Sequence, residues 1–495
     1  MRLADLLAAA SLPLPAPLTR AEADLEIVQI TADSRQVVPG SLFAALPGSK
    51  QDGRTFIPEA LARGAVAVLA EPGTRLADRS AAVAIPCNNP RHWLAILASA
   101  YYAPQPRLLA CVTGTSGKTS VAHFTRSLWQ SLGRQAASLG TLGVQPAAVP
   151  APPALTTPDP VALHRCLQAL QAAGFEQAVL EASSHGLDQH RLDGLEVAAA
   201  AFTNLSHEHL DYHGDMESYF AAKARLFDVL LRPDGAAVLN ADSRYYEALT
   251  LIARRRGQRI ISYGRSGAAN LRLLERQPRA EGQDLTLSID GKDAKLFLPL
   301  IGDFQVANAL AALGLVIGTG ADPQASLGAL ETLTPVPGRL ELVGRTAKGG
   351  TVFVDYAHKP AALEAVLKTL RPHVFGKLWV VVGCGGDRDR EKRPIMGRLA
   401  AELADAAIVT DDNPRSEDPA SIRAAMLKDN PGLSEIGERR KAIETAVHAL
   451  GKGDLLVIAG KGHESGQIVG AKVLPFDDRA VAREAIAASD RGTAA

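Results

Sequence analysis

The chain has 495 residues, more than one hydrophobic core accommodates, which predicts about three domains. Lysine plus arginine and aspartate plus glutamate both number 53, so no net charge favours binding to nucleic acid or to an anionic membrane. No apolar run reaches membrane-spanning length, and the four cysteines lack CxxC spacing, which predicts a cytoplasmic protein with free thiols and no zinc site.

Residues 1–88 predict a small α/β domain. Its clearest predicted elements are a short amphipathic N-terminal helix, a helix over 57–63 and a strand over 65–70. Ser34, Arg35 and the loop 48–52 place hydroxyl, amide and cationic groups on turns. Such groups fit a polar-ligand site and ordinary surface loops equally well.

The segment LLACVTGTSGKTS, residues 108–120, reads as a buried strand, a glycine-containing turn and a helix start. This arrangement binds phosphates, because backbone N–H groups at Gly114 and Gly117, the helix dipole and Lys118 favour an anion, and the Thr119 hydroxyl suits Mg²⁺. The strict P-loop pattern would place glycine at position 112, where this chain has valine. The alternative is a Gly/Ser turn before an ordinary helix.

Residues 89–335 alternate strands and helices, which predicts a mostly parallel sheet with ligands at the carboxyl ends of its strands. The predicted helices cover 92–102, 118–132, 161–173 and 302–318, and one further helix contains Lys223. The predicted strands cover 108–112, 177–180, 197–204, 236–240 and 259–264, and 271–300 predicts antiparallel hairpins. The segment 141–160 is too rich in proline for regular structure.

Three features of this region bear on metal chemistry, and Glu181 is the one that favours it. Glu181 ends a strand expected beside the phosphate strand, where it and Thr119 would offer hard oxygen ligands to Mg²⁺. The run 206–213 places three histidines in one predicted loop; each alone fits a polar loop better than a metal site, although one beside Glu181 is a plausible ligand. Lys223, judged by its spacing, is a solvated helix lysine.

Residues 336–495 predict a second doubly wound sheet, because each apolar strand ends in charged or glycine-rich residues. Asp355, Tyr356 and His358 leave a predicted strand directly into a helix. Arg339 lies in the segment joining this region to the preceding one. It suits either stabilisation of ATP phosphate charge or an interdomain salt bridge.

Two loops of this region, Asp412 to Arg415 and Gly460 to Glu464, suit a charged zwitterionic substrate. Arg388 adds a cation in a neighbouring loop. Guanidinium groups pair with carboxylates bidentately, so two arginines indicate a substrate with more than one carboxylate.

Together these motifs resemble those of the Mur ligase family of ATP-dependent peptidoglycan precursor synthetases. The resemblance extends over essentially the whole chain. Its markers, in family order, are DSR(x)4GSLF, TGTSGKTS, TTP, EASSHGLDQHR, TNLSHEHLDYHGD, AAKARLF, NA at 308–309, PGRLE, DYAHKP, GCGGDRD, DNPR and GKGHE.

The resemblance implies an α/β fold of three domains: a UDP-binding domain over 1–88, a central P-loop ATPase domain over 89–335 and a Rossmann-like amino-acid-binding domain over 336–495. It implies an ATP-dependent ligase of cytoplasmic peptidoglycan precursor synthesis. That ligase adds meso-diaminopimelate to the D-Glu γ-carboxylate of UDP-MurNAc-L-Ala-D-Glu through an acyl phosphate. It also implies Mg²⁺ as cofactor, three small-molecule substrates and a monomer.

Carried over to matching positions, the resemblance implies the following residue roles. The uridine nucleotide would contact Ala32, Ser34, Ser49, Lys50 and Gln51. ATP would lie on Gly114, Thr115, Ser116, Gly117, Lys118, Thr119 and Ser120, near Asn308, Arg339, Asp355 and His358. The muramoyl-dipeptide would contact Thr156, Thr157, Ser183, Gln189 and Arg191. Mg²⁺ would be held by Thr119, Glu181, His209 and Lys223, the last as a carbamate (N6-carboxylysine). The catalytic set would be Lys118, Glu181, His209 and Lys223. Diaminopimelate would contact Arg388, Asp412, Asn413, Pro414, Arg415, Gly460 and Glu464.

The DNPR motif favours diaminopimelate over lysine. Arg415 would pair with the additional carboxylate, whereas lysine would leave that guanidinium unpaired. The alternatives are a lysine-adding homologue, the D-Ala-D-Ala-adding ligase and folylpolyglutamate synthetase. From another class, a nucleotide-dependent switch without ligation would not need Glu181, His209 or Lys223.

Overall fold

The structure is a computed structural model that describes residues 1–14, 19–48, 51–76, 82–150, 152, 155–206, 208–279, 281–430 and 432–493. Its contacts divide the chain into two compact units, of which the first comprises Met1–Arg272 with Ala307–Ala329 and the second Leu273–Val306 with Leu330–Ala495. Within the described residues, no helix has the length and apolar character needed to cross a membrane. Cys87, Cys111, Cys166 and Cys384 are buried free thiols, as predicted.

The first unit begins with a small parallel sheet in the order β1–β2–β3–β4. Its elements are α1 (Leu3–Ala9), α2 (Arg20–Ala23), β1 (Gln29–Thr31), β2 (Ser41–Ala44), α3 (Ile57–Ala62), β3 (Ala65–Ala70) and β4 (Val83–Pro86). One core buries Leu3, Leu6 and Leu7 of α1 against strand residues such as Leu42 and Leu69. The predicted N-terminal helix, second helix and strand are confirmed.

A larger sheet follows in the same unit, and its strands there run in the order β11–β10–β9–β5–β8–β6–β7. Its elements are α4 (Pro90–Tyr101), β5 (Leu108–Thr113), α5 (Lys118–Ser131), β6 (Ala136–Gly140), β7 (Gly143–Gln145), α6 (Pro160–Ala172), β8 (Gln177–Glu181), α7 (Ser184–Asp188), β9 (Val197–Phe202), α8 (Leu210–His213), α9 (Met216–Arg225), β10 (Leu231–Asn240), α10 (Tyr246–Arg255) and β11 (Arg259–Gly264). Helix α11 (Asp303–Gly318), whose first four residues belong to the second unit, and helix α12 (Pro323–Ala329) complete it.

The middle strands β5, β8 and β9 have apolar interiors, as expected where helices cover both faces of a parallel sheet, and in β8 the apolar residues lie between Gln177 and Glu181. β5 pairs in parallel with β8 on one side and with β9 on the other. In this register Val112 lies opposite Glu181, which confirms that the glutamate ends the strand beside the phosphate strand. The carboxyl ends of β5, β8 and β9 therefore meet at one edge, where the polar motifs begin.

Several local predictions need correction. The proline-rich segment contains β7, which pairs antiparallel with β6 and closes a tight turn. The predicted histidine loop ends in the one-turn helix α8, which stops at Gly214 with φ of 82°. Strand β6 and helix α10 were not predicted.

The second unit contains the hairpin strands and the third sheet. The hairpin strands are β12 (Leu271–Arg279), which begins in the last residues of the first unit, β13 (Gly282–Ile289) and β14 (Lys292–Leu298). The remaining elements are β15 (Glu341–Arg345), β16 (Thr351–Asp355), α13 (Pro360–Leu370), β17 (Leu378–Val382), α14 (Lys392–Leu403), β18 (Ala406–Val409), α15 (Pro419–Leu427), β19 (Ser434–Glu435), α16 (Arg439–Ala449), β20 (Leu455–Ala459), β21 (Gly466–Val469), β22 (Lys472–Pro475) and α17 (Asp478–Thr493). The third sheet has the order β15–β16–β20–β17–β18–β19, and β21 pairs with β22 as a separate hairpin. The predicted doubly wound sheet is confirmed.

Candidate active site

The loop between β5 and α5 is shaped by two glycines. Gly114 has φ of 146° and Gly117 has φ of 90°, values that side-chain-bearing residues rarely adopt. A Cβ at Gly114 would overlap Thr203 Oγ1, and a Cβ at Gly117 would overlap Asn308 Oδ1. The buried Asn308 of α11 therefore packs directly on the loop, as the prediction that it lies near ATP requires.

Hydrogen bonds to Asn204, just after β9, fix the backbone of the loop. Thr115 N donates to Asn204 O over 2.8 Å, and Ser116 N donates to Asn204 Oδ1 over 3.0 Å. Lys118 Nζ donates to the carbonyls of Gly114 and Thr115 at 2.9 and 2.8 Å, so the cation lies inside the loop. Burial lowers the pKa of Lys118, against the opposing effect of nearby carboxylates. A bound phosphate group would give the Lys118 ammonium an anionic partner, which the two carbonyl groups do not provide.

Thr119 and Glu181 lie together at the base of the loop. Thr119 Oγ1 donates to Glu181 Oε2 over 2.9 Å, and Thr141 N donates to Glu181 Oε1 over 2.9 Å. Glu181 is 3% exposed, and burial raises its pKa in spite of these bonds. A hydroxyl and a buried carboxylate beside a phosphate loop form a hard-oxygen donor set that fits Mg²⁺.

Lys223 is buried, which corrects the expectation of a solvated lysine. Its Nζ donates to Gly114 O over 2.9 Å and lies 4.6 Å from the centre of the Tyr219 ring. Burial and the neighbouring Lys118 cation lower the pKa of Lys223 to about 6. The structure thus brings this amine to the phosphate loop, where an uncharged lysine can react with CO₂.

His209 lies near the same tyrosine. Its ring centre is 6.2 Å from that of Tyr219 and 5.1 Å from that of His185, and the residue is exposed with φ of 56°. His209 is therefore near the loop residues through Tyr219, whose hydroxyl lies 3.2 Å from Thr115 Oγ1. Its role as a ligand stays a prediction.

The residues predicted to contact the muramoyl-dipeptide form one hydrogen-bonded group next to Glu181. Thr157 Oγ1 donates to Glu181 O over 2.7 Å and accepts from Ser183 N over 2.9 Å. Arg191 donates to Thr157 O over 2.7 Å and to Gln189 Oε1 over 2.8 Å. Thr156 joins this group through a hydroxyl contact of 3.2 Å with Thr141.

Gly140 provides a direct test of this arrangement. A Cβ at Gly140 would overlap Glu181 Oε1, so Gly140→Ala must displace the carboxylate. We expect kcat to fall about 100-fold, because small misplacements at a reacting centre cost about that much. Steady-state phosphate release measures the effect. Gly328→Ala in α12 is the matched control, since its Cβ meets no atom within 4 Å, and it should keep full activity. Full activity of Gly140→Ala would contradict the role of Glu181.

The predicted uridine contacts are only partly described. Ala32 and Gln51 are exposed, and Ser34 is buried with Oγ donating to Glu59 Oε2 over 2.7 Å. Ser49 and Lys50 lie outside the described residues. The structure thus brings Ala32 and Ser34 to one turn without defining the rest of the set.

In the second unit, Arg339, Asp355 and His358 converge around Tyr356. Asp355 accepts from Leu340 N and Ala357 N at 2.7 and 2.8 Å, and burial raises its pKa to about 6. The Arg339 guanidinium lies 4.9 Å from the centre of the Tyr356 ring, whose centre is 4.6 Å from that of His358. The three predicted residues are therefore neighbours.

The predicted diaminopimelate residues also lie together, except Arg388, which is exposed with no hydrogen bond to them. Asn413 Nδ2 donates to Glu464 Oε2 over 3.1 Å, and Arg415 NH1 donates to Gly386 O over 2.8 Å. Gly460 has φ of 120°, and a Cβ there would lie 2.5 Å from Asp412 Oδ2. Pro414 is buried in the same loop.

The hairpin β21–β22 fixes the DNPR loop and was not predicted to do so. Gln467 Nε2 donates to Asp412 O over 2.8 Å, and Ile468 N donates to Asn413 Oδ1 over 2.9 Å. Arg415, which has φ of 51°, donates its N–H to Ile468 O over 3.0 Å. These bonds hold Arg415 in a left-handed backbone conformation that arginine adopts rarely.

Two buried cations support the same loops. Lys461 is fully buried, and its Nζ donates to Asn413 Oδ1 and Gly466 O, both over 2.8 Å. Arg439 forms a bidentate pair with Asp478 at 2.8 and 2.7 Å and donates to Ala459 O over 3.0 Å. The GKGHE motif includes Lys461, but no sequence pattern indicates that Arg439 and Asp478, 39 residues apart, meet behind the loops.

Comparison with known proteins shows the family to which the chain belongs. Three family models match in succession: "Mur ligase family, catalytic domain" over 26–102, "Mur ligase middle domain" over 112–316 and "Mur ligase, glutamate ligase domain" over 338–462. A relative from Caulobacter vibrioides is 51% identical over 473 residues, covering 94% of this chain and 97% of its own. The chain belongs to the Mur ligase family.

The Caulobacter relative of this Mur ligase is named UDP-N-acetylmuramoyl-L-alanyl-D-glutamate–2,6-diaminopimelate ligase. A relative of the same name from Zymomonas mobilis is 49% identical and covers 95% of this chain and 96% of its own. A solved structure of a ligase with that name has a TM-score of 0.78 and 34% identity, covering 99% of both chains. The three-domain α/β fold and the assignment as an ATP-dependent ligase are thereby confirmed.

Proposed function

We propose that this Mur ligase joins meso-diaminopimelate to the D-Glu γ-carboxylate of UDP-MurNAc-L-Ala-D-Glu, converting ATP to ADP and phosphate. The observation that carries the proposal is the identity of about half of all residues with relatives named for this reaction, over nearly the whole of both chains. Two groups of residues support the proposal. Those around Glu181 suit the transfer of phosphate from ATP, and those of the DNPR loop suit the binding of the incoming amino acid.

In the first step the γ-carboxylate attacks the γ-phosphorus of ATP, giving an acyl phosphate and ADP. Lys118 and the N–H groups of the loop would bind the phosphates, and Arg191 with Gln189 would orient the dipeptide. Thr119, Glu181, His209 and carbamylated Lys223 would hold Mg²⁺, which supplies charge neutralisation for phosphoryl transfer. Arg339, Asp355, His358 and Asn308 are proposed to contact ATP.

In the second step the amine of the incoming amino acid attacks the acyl carbon, and the tetrahedral intermediate expels phosphate. Arg415 and Arg388 would bind carboxylates of diaminopimelate, and Glu464 would bind an ammonium group. Asp412, Asn413, Pro414 and Gly460 would shape that site. A guanidinium at Arg415 favours a substrate with an additional carboxylate over lysine.

Further proposals concern organisation and surroundings. The domain limits 1–88, 89–335 and 336–495, a monomeric state and a cytoplasmic location stay proposals. Ala32, Ser34 and Gln51, with Ser49 and Lys50, are proposed to bind the uridine nucleotide.

The test is phosphate release from ATP with UDP-MurNAc-L-Ala-D-Glu and either meso-diaminopimelate or L-lysine. Release with diaminopimelate alone is the expected result. Release with lysine alone would retain the ligase and overturn the amino-acid assignment. Release without any acceptor would instead favour a nucleotide-dependent switch.

A further inference from the structure

The loop that follows α7 contains a buried carboxylate. Asp193 is 1% exposed and accepts from His92 Nδ1 over 2.6 Å, from His190 Nδ1 over 2.7 Å and from Arg225 NH2 over 3.0 Å. The three donors come from α4, from the loop itself and from α9. We call these four residues the Asp193 cluster. No motif of the sequence analysis includes it as a unit.

Both ring nitrogens of His190 are held. Nδ1 faces the carboxylate and must carry the proton, since a carboxylate only accepts. Nε2 lies 3.1 Å from the amide nitrogen of Asn89, which can donate to it. Asn89 in turn caps α4, because its Oδ1 accepts from His92 N over 3.1 Å. The imidazole is thus fixed between the first turn of α4 and Asp193.

The same atoms resemble a metal site, but the neighbouring cation argues against one. The ligand atoms of His92, His190 and Asp193 lie within 4.8 Å of one another. Arg225 NH2, however, lies 3.0 Å from both Asp193 Oδ2 and His190 Nδ1. A guanidinium at that position repels a divalent cation and already neutralises the carboxylate. Burial would raise the pKa of Asp193, but the bonds from His190, His92 and Arg225 hold it below its usual value.

The cluster controls the backbone between two residues predicted to contact substrate. His190 has φ of 58°, a left-handed conformation that histidine rarely adopts without outside support. Gln189 precedes it and Arg191 follows it, and their side chains bond to each other over 2.8 Å. Any release of His190 would therefore change the backbone at both neighbours.

The cluster also reaches the helix that carries Lys223. Arg225, two residues further along α9, donates to Leu187 O over 2.6 Å and to both oxygens of Asp193 at 3.0 to 3.2 Å. The Arg225 guanidinium thus joins α9 to α7 and to the loop after it.

We propose that Asp193 is a positioning residue for the muramoyl-dipeptide, acting by holding His190 and Arg225 so that Gln189 and Arg191 lie where the substrate requires them. The identity of that substrate rests on the proposed function. Asp193 does not contact the reacting atoms, and we expect its substitution to change the KM for the dipeptide substrate only.

The test is Asp193→Asn, which places an amide NH₂ among donors that need an acceptor. We expect the KM for UDP-MurNAc-L-Ala-D-Glu to rise about 10–100-fold while the KM values for ATP and diaminopimelate stay within about twofold. Leu249→Ala, a buried core change in the same unit, is the control for lost stability. It should lower the unfolding temperature without this selective change in KM.

A second variant keeps the test informative if Asp193→Asn does not fold. His190→Ala removes a side chain that is 24% exposed and should produce the same selective rise. Equal changes in all three KM values, or no change in the dipeptide KM, would overturn the proposal. Stoichiometric Zn²⁺ binding that His92→Ala abolishes would overturn it too. If the wild-type enzyme releases no phosphate with these substrates, the proposed function fails first, and calorimetric binding of the UDP-dipeptide to both forms still tests Asp193.

Discussion

Lys223→Ala should lower ligase activity about 100- to 1000-fold, and added formate or acetate should restore part of it. The size of the loss follows from removing one preorganised charged group at a phosphoryl-transfer site. The amine is buried against Gly114 O and the Tyr219 ring, and its pKa of about 6 lies below neutral pH. At pH 7 it is therefore mostly uncharged, and its nitrogen can attack CO₂ and lose a proton to give a carbamate. A free carboxylate that enters the vacated space would replace that group.

Phosphate release with all three substrates measures the loss and the rescue. Glu217→Ala, an exposed change on the same helix, is the control and should be active with or without formate. If Lys223→Ala keeps full activity, or if neither carboxylate restores any of a loss, the carbamate hypothesis is wrong. Loss of activity on removal of dissolved CO₂, reversed by bicarbonate, is the independent expectation.

Arg415→Ala should raise the KM for meso-diaminopimelate about 100-fold and leave the KM for ATP within about twofold. A truncated charge partner of a carboxylate typically costs this much, because the other charge is left unpaired. Arg415→Lys should recover only part of the loss, since an ammonium cannot form the bidentate pair. Initial rates at varied diaminopimelate, with the other substrates saturating, measure the effect.

The control for this prediction is Arg440→Ala, which removes an exposed arginine of α16 paired with Glu484. It should leave every KM unchanged. Equal losses for diaminopimelate and ATP in Arg415→Ala would indicate a structural role. The hydrogen bond from Arg415 NH1 to Gly386 O is the contact through which such a structural role would act.

The sequence predicts much of this fold because its strands are strong signals. The runs that form β5, β8 and β9 have apolar interiors and end in polar motifs, as strands buried on both faces do. Strand β6, with the sequence AASLG, was missed because its residues are mostly small and have low β propensity. Helix α10 was missed although Leu249, Ile252 and Ala253 recur at helical spacing. The proline-rich segment was wrongly expected to lack any strand, since its prolines begin at Pro146, directly after the three-residue pairing of β7.

The site was less predictable, because burial and pairing depend on distant segments. Nothing local distinguishes Lys223 from a solvated lysine; it is the packing of α9 beside the phosphate loop that buries it. His92 and Asp193 are 101 residues apart, and their contact arises only when α4 and the loop after α7 meet. Resemblance to a family supplied residue roles, while the positions of supporting residues came from the structure.

The hairpin β21–β22 has a consequence for redesign of amino-acid choice. The DNPR loop takes its backbone shape from Gln467 and Ile468, which lie more than fifty residues further along the chain. Replacing only the four DNPR residues by those of a relative with a different acceptor would therefore introduce new side chains without the residues of β21 that fix the backbone of the loop. A change of acceptor preference therefore requires that the DNPR loop and the hairpin β21–β22 be exchanged together. Among natural relatives that differ in this preference, we expect substitutions in the two segments to occur together.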